Sequence, residues 1–359
     1  MDYLKDQIIT YIGNKRKILP FIERSLNQIG IKDYSFLDLF SGSGIVSRLA
    51  KVHGAKKIIA NDLEYYSMVL NSVFLRNEEG NKKEFEEMKQ DILSKPLFEG
   101  WVCENYAPKD DNDIQRGERC FYTRENALLI DSFIEGLKDV PFHISKLILA
   151  PLIYEASVHT NTSGVFKGFY KNKQGIGQFG GEGKNALQRI CGKIDPQFPV
   201  FCPNETENII ISADASTVVK DTKIVEQAKG IDITYIDPPY NQHPYGSNYF
   251  MLNAIAKCKC PEEISKVSGI PKDWNRSIYN KRVEGVMQLL KDIENVDSKY
   301  VLLSYSSEAY LPIKDMVAEL AKIGLITNLQ EIDYNVFRGS RNLSSRPKKL
   351  QEYLITIRK

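Results

Sequence analysis

The chain has no apolar run long enough to span a membrane, which takes about 20 consecutive, mostly apolar residues. Its start, Met1-Asp2-Tyr3-Leu4-Lys5-Asp6, lacks the basic-then-apolar pattern of a secretory signal. It also lacks a P-loop: Gly183-Lys184 has no glycine at the required earlier position and is followed by Asn185. Of the six cysteines only Cys258 and Cys260 are close, and their spacing fits neither a CxxC redox pair nor a zinc site. Reduced structural thiols and no metal site are therefore expected. Charge of one sign is missing too. A net charge of +2 does not by itself announce a nucleic-acid partner. These absences argue against a membrane span, a secreted disulfide scaffold and a P-loop nucleotidase. What remains is a globular composition, 42% hydrophobic and 26% charged. A chain of 359 residues is long enough for one large domain plus an insertion. The composition agrees with an intracellular, cytoplasmic enzyme.

What is present begins with Asp237-Pro238-Pro239-Tyr240. It follows Ile231-Asp232-Ile233-Thr234-Tyr235-Ile236, which alternates like a strand. Two prolines cannot continue a central strand, so an acid, a rigid diproline and an aromatic ring are presented at a carboxyl strand end. Open α/β sheets bind ligands at that edge. Near the N-terminus, Phe36-Leu37-Asp38-Leu39-Phe40 reads as a buried strand, Ser41-Gly42-Ser43-Gly44 as a tight turn, and Ile45 to Ala50 as the start of a helix. Strand, glycine loop and helix make the first unit of a nucleotide-binding α/β fold. No third glycine follows at the dinucleotide spacing. A second strand, Lys57 to Ala60, ends at Asn61-Asp62. Asp62 stands about 20 residues past the loop, where such folds place an acid on a ribose hydroxyl. Asp62 also suits a helix N-cap, as does Asp214 at the end of Ile209-Ile210-Ile211-Ser212-Ala213.

Helices are expected over about Lys15 to Ile29, Lys82 to Leu93, Glu125 to Gly136, Pro141 to Ala156 and Val286 to Ile293. Tyr300 to Tyr305 reads as a buried strand, and Tyr334 to Arg338 with Glu352 to Ile357 as a final antiparallel pair. Residues 160–184 hold seven glycines and read as a long functional loop or an irregular small lobe. The expected core is a mixed, mostly parallel sheet. It is assembled from 1–80 and 205–359 and split by an insertion at 81–204.

Three pieces together resemble a known family. Asp38-Leu39-Phe40-Ser41-Gly42-Ser43-Gly44 is similar to the S-adenosylmethionine loop of the DNA methyltransferases. Asp237-Pro238-Pro239-Tyr240 is similar to their amino-methylating motif in its adenine-type form. Tyr11-Ile12-Gly13-Asn14-Lys15-Arg16-Lys17 resembles the N-terminal cofactor motif that some of them carry. The order of the pieces matches the alpha group, the Dam-like D12 class of N6-adenine methyltransferases found in restriction-modification systems. The resemblance covers roughly residues 8–76 and 205–345.

The resemblance implies an α/β, Rossmann-like, S-adenosylmethionine-dependent methyltransferase with an inserted target-recognition region. It implies a cofactor site made of Tyr11, Lys15, Asp38, Phe40, Gly42, Gly44, Asp62 and Asp214, with Lys15 pairing the methionine carboxylate. Asp237, Pro238 and Tyr240 become the catalytic residues. An adenine amine is a poor nucleophile because its lone pair is delocalised. Asp237 and the Pro238 carbonyl, as two fixed acceptors, favour a pyramidal nitrogen and stabilise its developing charge. Tyr240 can stack on a base flipped out of the duplex. Tyr245 and Tyr249 are further aromatic candidates, the latter reading better as helix core.

Duplex DNA is the implied partner, with Asn161, Lys167, Tyr170, Lys171, Arg338 and Arg341 as contact candidates. Each basic stretch also reads as a solvated face, and Arg338 to Asn342 as a hairpin turn. A monomer is expected, with a separately encoded restriction endonuclease as a further partner. Alternatives are methylation of adenine in RNA, a small-molecule methyltransferase, and a DNA-binding subunit without turnover.

Overall fold

The computed structural model describes residues 2–77, 81–181, 183–184, 186–220, 226–240, 242–335 and 349–359. Its centre is a seven-stranded sheet. The strands are β1 (Ser35–Asp38), β2 (Lys57–Asp62), β3 (Glu207–Ser212), β4 (Ile231–Ile236), β5 (Ser298–Ser306), β6 (Leu325–Asn335) and β7 (Lys349–Arg358), in spatial order β3-β2-β1-β4-β5-β7-β6. β1 to β5 pair in parallel, and β7 runs antiparallel between β5 and β6. Short, near-continuous apolar runs suit a sheet buried on both faces. Phe36 pairs with Ile58 and Ile233, and Leu303 with Ile355.

Alternation within the strands divides the core. Phe36, Ile58, Ile233 and Tyr235 face one cluster, which also takes the apolar stripe of α1 (Leu19–Ile29) and α2 (Ile45–His53). Leu37, Ile59, Ile236 and Leu303 face the opposite cluster, on the side of α9 (Ala215–Lys220), α12 (Arg282–Asn295) and α13 (Ile313–Ile323). The chain builds outward from β1 through β2 to β3, then returns to place β4 on the other side of β1. The carboxyl ends of β1 and β4 therefore flank the point where strand order reverses, the place where such sheets bind ligands.

Between β2 and β3 lie α3 (Tyr65–Phe74), α4 (Lys82–Ser94), α5 (Trp101–Tyr106), α6 (Arg124–Gly136), α7 (Phe142–Val158) and the short α8 (Leu187–Ile190). The expected helices are present with boundaries moved by a few residues. The stretch at Lys15 is different: residues Lys15–Ile18 form a 3₁₀ turn before α1. The inserted helices share one hydrophobic core with Tyr66, Val69 and Phe74 of α3 and with Met251 and Leu252 of α11 (Phe250–Ala256), which follows α10 (Tyr245–Asn248). The segment between β2 and β3 is thus packed onto the sheet through α3 and α11. Residues 160–181 are irregular, with one isolated bridge between Lys171 and Gly177. β6 begins at Leu325, well before the expected Tyr334. Among the described residues no helix is long and apolar enough to cross a membrane.

The N-terminal segment is fastened before it reaches the site. Buried Arg48 donates to the carbonyls of Tyr3 and Asp6 at 3.0 Å and of Gln7 at 3.3 Å, and packs on the Phe74 ring. Gln7 in turn donates to the Gln197 carbonyl (3.0 Å) and accepts from Val200 N–H (2.8 Å), tying the end of the insertion to the same segment. These contacts fix where Tyr11 and Lys15 enter.

Candidate active site

The loop after β1 is held on both sides. Leu39 N–H donates to the Tyr235 carbonyl (3.0 Å) and Ser41 N–H to the Asn61 carbonyl (2.8 Å), so β4 and β2 fix its direction. Gly42 has φ +50, and a Cβ there would run into the Tyr11 hydroxyl. Gly44 has φ +75, and a Cβ would strike the Asn71 side chain. Glycine is needed at both positions for handedness and for room. The two oxygens of Asp62 are divided: one accepts from Gly42 N–H (2.7 Å), the other from Glu64 N–H (2.8 Å). Asp62 therefore clamps the loop to the end of β2.

These elements border a partly open cleft. Tyr11, Phe40, Gly42, Asp62 and Asp214 line it, as does Asp237. Asp214 also accepts from Ser216 N–H (2.9 Å) at the start of α9, as a helix N-cap does. Three other expected cofactor residues stand behind the wall. Gly44 shapes the turn. Asp38 is 1% exposed and accepts from the Ser47 hydroxyl at 2.7 Å. Lys15 lies against the corner that follows β4: its ammonium is 3.1 Å from Asp237 and 3.3 Å from Glu352. The resemblance had Lys15 pairing a methionine carboxylate; the carboxylates that it meets in this structure are those of Asp237 and Glu352. Once the N-terminal segment is anchored, the 3₁₀ turn delivers the side chain beneath Asp237, where two carboxylates meet it.

Sequence reading missed Glu64, Asn275 and Glu352. Glu64 lines the cavity beside Asp62 and accepts from Asn275 (3.1 Å) and from Asn253. Its only sequence signal was its place just after the Asn61-Asp62 strand end. Asn275 lies in a stretch without regular structure, and Glu352 within a strand, so neither carried a motif.

Asp237 closes β4, with its side chain 16% exposed and aimed at the cavity. Burial pushes its carboxyl up to about 7, the Lys15 ammonium pulling down and the Glu352 charge pushing up. Burial also drives Asp38 to about 7 and Asp62 to about 6, the latter against the backbone N–H groups it accepts. Burial alone would lower Lys15, but Asp237, Tyr240 and Glu352 outweigh it and hold the ammonium well above its ordinary value. Tyr240 donates to Glu352 at 3.3 Å, with the Lys15 ammonium 5.7 Å from its ring centre. Tyr245 lines the cavity and donates to the Ile12 carbonyl (3.0 Å). Tyr249 is 1% exposed, accepts from Ile12 N–H (2.7 Å) and packs edge-on against Tyr11, a core role.

Among the DNA-contact candidates, Lys167 and Lys171 are exposed and Tyr170 is partly exposed. Asn161 is fully buried. It donates to the Cys120 carbonyl (2.8 Å) and accepts from Gly180 N–H (3.0 Å), so it braces the glycine-rich loop from inside and presents no edge to a base. Arg338 and Arg341 lie outside the described residues. Among those described, no group of three or more His, Cys, Asp and Glu side chains is placed to hold a metal ion.

Known proteins add the family. The model of the D12 class N6 adenine-specific DNA methyltransferases matches residues 11–181 and 202–318. The chain is 30% identical over 356 residues to the Type II methyltransferase M.CviAII of Paramecium bursaria Chlorella virus 1, covering 97% of this chain and 98% of that one. It is 28% identical over 362 residues to the Type II methyltransferase M.NlaIII of Neisseria lactamica, covering 98% and 99%. The modification methylase LlaI of Lactococcus lactis subsp. lactis is 28% identical over 372 residues, and the chain spans 55% of its length. With the reversal-point cavity, the glycine loop and the Asp-Pro-Pro-Tyr corner in one place, the chain belongs to the D12 class N6 adenine-specific DNA methyltransferases.

Proposed function

We propose that this adenine-specific enzyme uses S-adenosyl-L-methionine as methyl donor, takes an adenine flipped from duplex DNA, and performs the transfer at Asp237, Pro238 and Tyr240. One observation carries the reading: a single cavity is lined on one side by Gly42, Asp62 and Asp214 and on the other by Asp237, Pro239 and Tyr245. The fit to the donor rests on the Gly42 backbone, where a Cβ would fill the space beside Tyr11, and on the acids at the ends of β2 and β3. When bound, S-adenosylmethionine supplies an electrophilic methyl group on a sulfonium.

The chain's own residues do the rest. Asp237 accepts one N–H of the target amine and the Pro238 carbonyl the other. The diproline fixes the direction of that carbonyl, because proline removes freedom in φ. Positive charge developing on the amine nitrogen during transfer would lie beside Asp237, which would stabilise it electrostatically. The nitrogen then releases a proton that any nearby base or water takes, so Asp237 need not be a strong base. Tyr240 supports the base through stacking.

The insertion over 81–204 serves as the target reader, with Lys167, Tyr170 and Lys171 on its surface toward the backbone phosphates. The chain acts as a monomer beside a separately encoded endonuclease, protecting sites that the endonuclease would cut. The test is transfer of labelled methyl from S-adenosylmethionine to unmethylated duplex DNA, with nucleoside analysis of the product. N6-methyladenine supports the reading. Label in RNA alone overturns the substrate, and no transfer despite donor binding overturns the catalytic role of the corner.

A further inference from the structure

Glu352 lies beyond the residues that the family model matches, on β7, and its side chain reaches the catalytic corner. It is 6% exposed. One oxygen accepts from the Lys15 ammonium at 3.3 Å and from the Tyr240 hydroxyl at 3.3 Å. The other oxygen is buried and has no hydrogen-bond partner among the described residues. A buried acceptor left unused is costly unless some state of the protein employs it. Meanwhile Lys15 shares itself almost evenly, 3.1 Å from Asp237 and 3.3 Å from Glu352. The Asp237 oxygen that it touches is an acceptor of the kind that the proposed chemistry needs for the target amine.

We propose that Glu352 is a positioning residue that draws the Lys15 ammonium off Asp237 when the target amine arrives, and that holds Tyr240 in place by its hydroxyl. The spare Glu352 oxygen gives the displaced ammonium a second acceptor, so no cation is stranded in the interior. Asp237 is then free to accept an N–H and to face the charge that grows on nitrogen. The inference rests on the reading that Asp237 accepts the amine. The charged and titratable groups around Asp237 are Lys15 from the 3₁₀ turn, Glu352 from β7, Asp38 from β1, and the phenols of Tyr11, Tyr235, Tyr240 and Tyr245. Among these, Lys15 lowers the Asp237 carboxyl and Glu352 raises it.

The experiment is single-turnover methylation of duplex DNA across pH by the full chain and by E352Q, K15M and the double variant, with donor affinity measured separately. E352Q leaves Lys15 committed to Asp237. It is expected to slow transfer about tenfold to a hundredfold, the worth of one charge-assisted hydrogen bond, with donor affinity held within about twofold. Its acid limb moves to lower pH, and that of K15M to higher pH. Adding K15M to E352Q restores much of the lost rate, because the competitor for Asp237 is gone. A loss that is equal at every pH and not relieved by K15M means a merely structural role and overturns the proposal, as does a wild-type rate in E352Q. If E352Q does not fold, E352D retracts the carboxylate from Lys15 by one methylene. A loss relieved by K15M then supports the proposal, and a wild-type rate overturns it. The wild-type control separates the two levels: no N6-methyladenine from wild type overturns the reading of the site itself, whereas product from wild type with an unchanged E352Q overturns only the role of Glu352.

Discussion

Replacing Asp237 by Asn should destroy activity and stabilise the fold, with a pH signature. The Asp237 carboxyl is raised from its ordinary 3.8 to about 7, chiefly by burial and further by the Glu352 charge, with Lys15 opposing. A carboxyl raised in the native state contributes stability that is fully present below its unfolded pKa and is lost as pH rises through its folded pKa. Ionised Asp237 therefore weighs against folding at neutral and alkaline pH. A gap of roughly three pH units corresponds to about 4 kcal/mol once the group is fully ionised. Asn keeps the shape and removes the charge. D237N should match wild type below about pH 4 and gain progressively up to about pH 7. For a chain of this length, 4 kcal/mol is a rise in Tm of about 5 °C. Thermal melting of both proteins at pH 5 and pH 8 measures the difference, in which carboxyls uncoupled from Asp237, such as Glu64, cancel. Methyl transfer should fall about 10²–10³-fold, the scale for losing one preorganised electrostatic partner of a developing charge. Donor affinity should stay near wild type. A D237N protein that melts at or below wild type at pH 8 would refute the account of Asp237 as a strained, functional carboxylate. Loss of donor binding would make it a cofactor residue instead.

The remaining predictions test the loop, the surface and the insertion. Gly42→Val places a branched side chain at φ +50 and against the Tyr11 hydroxyl. It should weaken donor binding about tenfold or more by equilibrium dialysis, and an unchanged affinity would sink the loop assignment. Removing Lys167 and Lys171 together should weaken DNA binding across sequences and lower the salt slope by about two, whereas an unchanged slope would move the DNA path elsewhere. Asn161→Ala should destabilise the fold by about 2–4 kcal/mol, since it strands buried partners at Cys120 and Gly180, and denaturant unfolding reads this directly. An unchanged stability with altered target choice would return Asn161 to the role of base reader.

The parts legible in the sequence were those where backbone chemistry dictates residue type. Glycines at 42 and 44 are required by positive φ and by the close approach of Tyr11 and Asn71, and the glycine loop carried that signal openly. Asp237-Pro238-Pro239-Tyr240 was legible because prolines must leave a sheet. The short apolar strands gave the parallel sheet and its reversal point, and hence the place of the cavity. What was illegible depends on contacts between residues far apart. Lys15 sits 337 residues from Glu352 and meets it only because Arg48 and Gln7 fasten the N-terminal segment over the sheet while β7 inserts beside β5. Within its strand, Glu352 looked like an ordinary polar position. Asn161 failed in the opposite direction: its neighbours were the glycines, lysines and aromatics of a surface loop, yet the irregular backbone there needs an internal amide to satisfy its carbonyls and N–H groups. Composition reports which chemistry a segment offers to its surroundings. Burial decides whether a given side chain spends that chemistry inward on the fold or outward on a substrate, and at Asn161 and Lys15 the inward partners were invisible until the tertiary contacts were drawn.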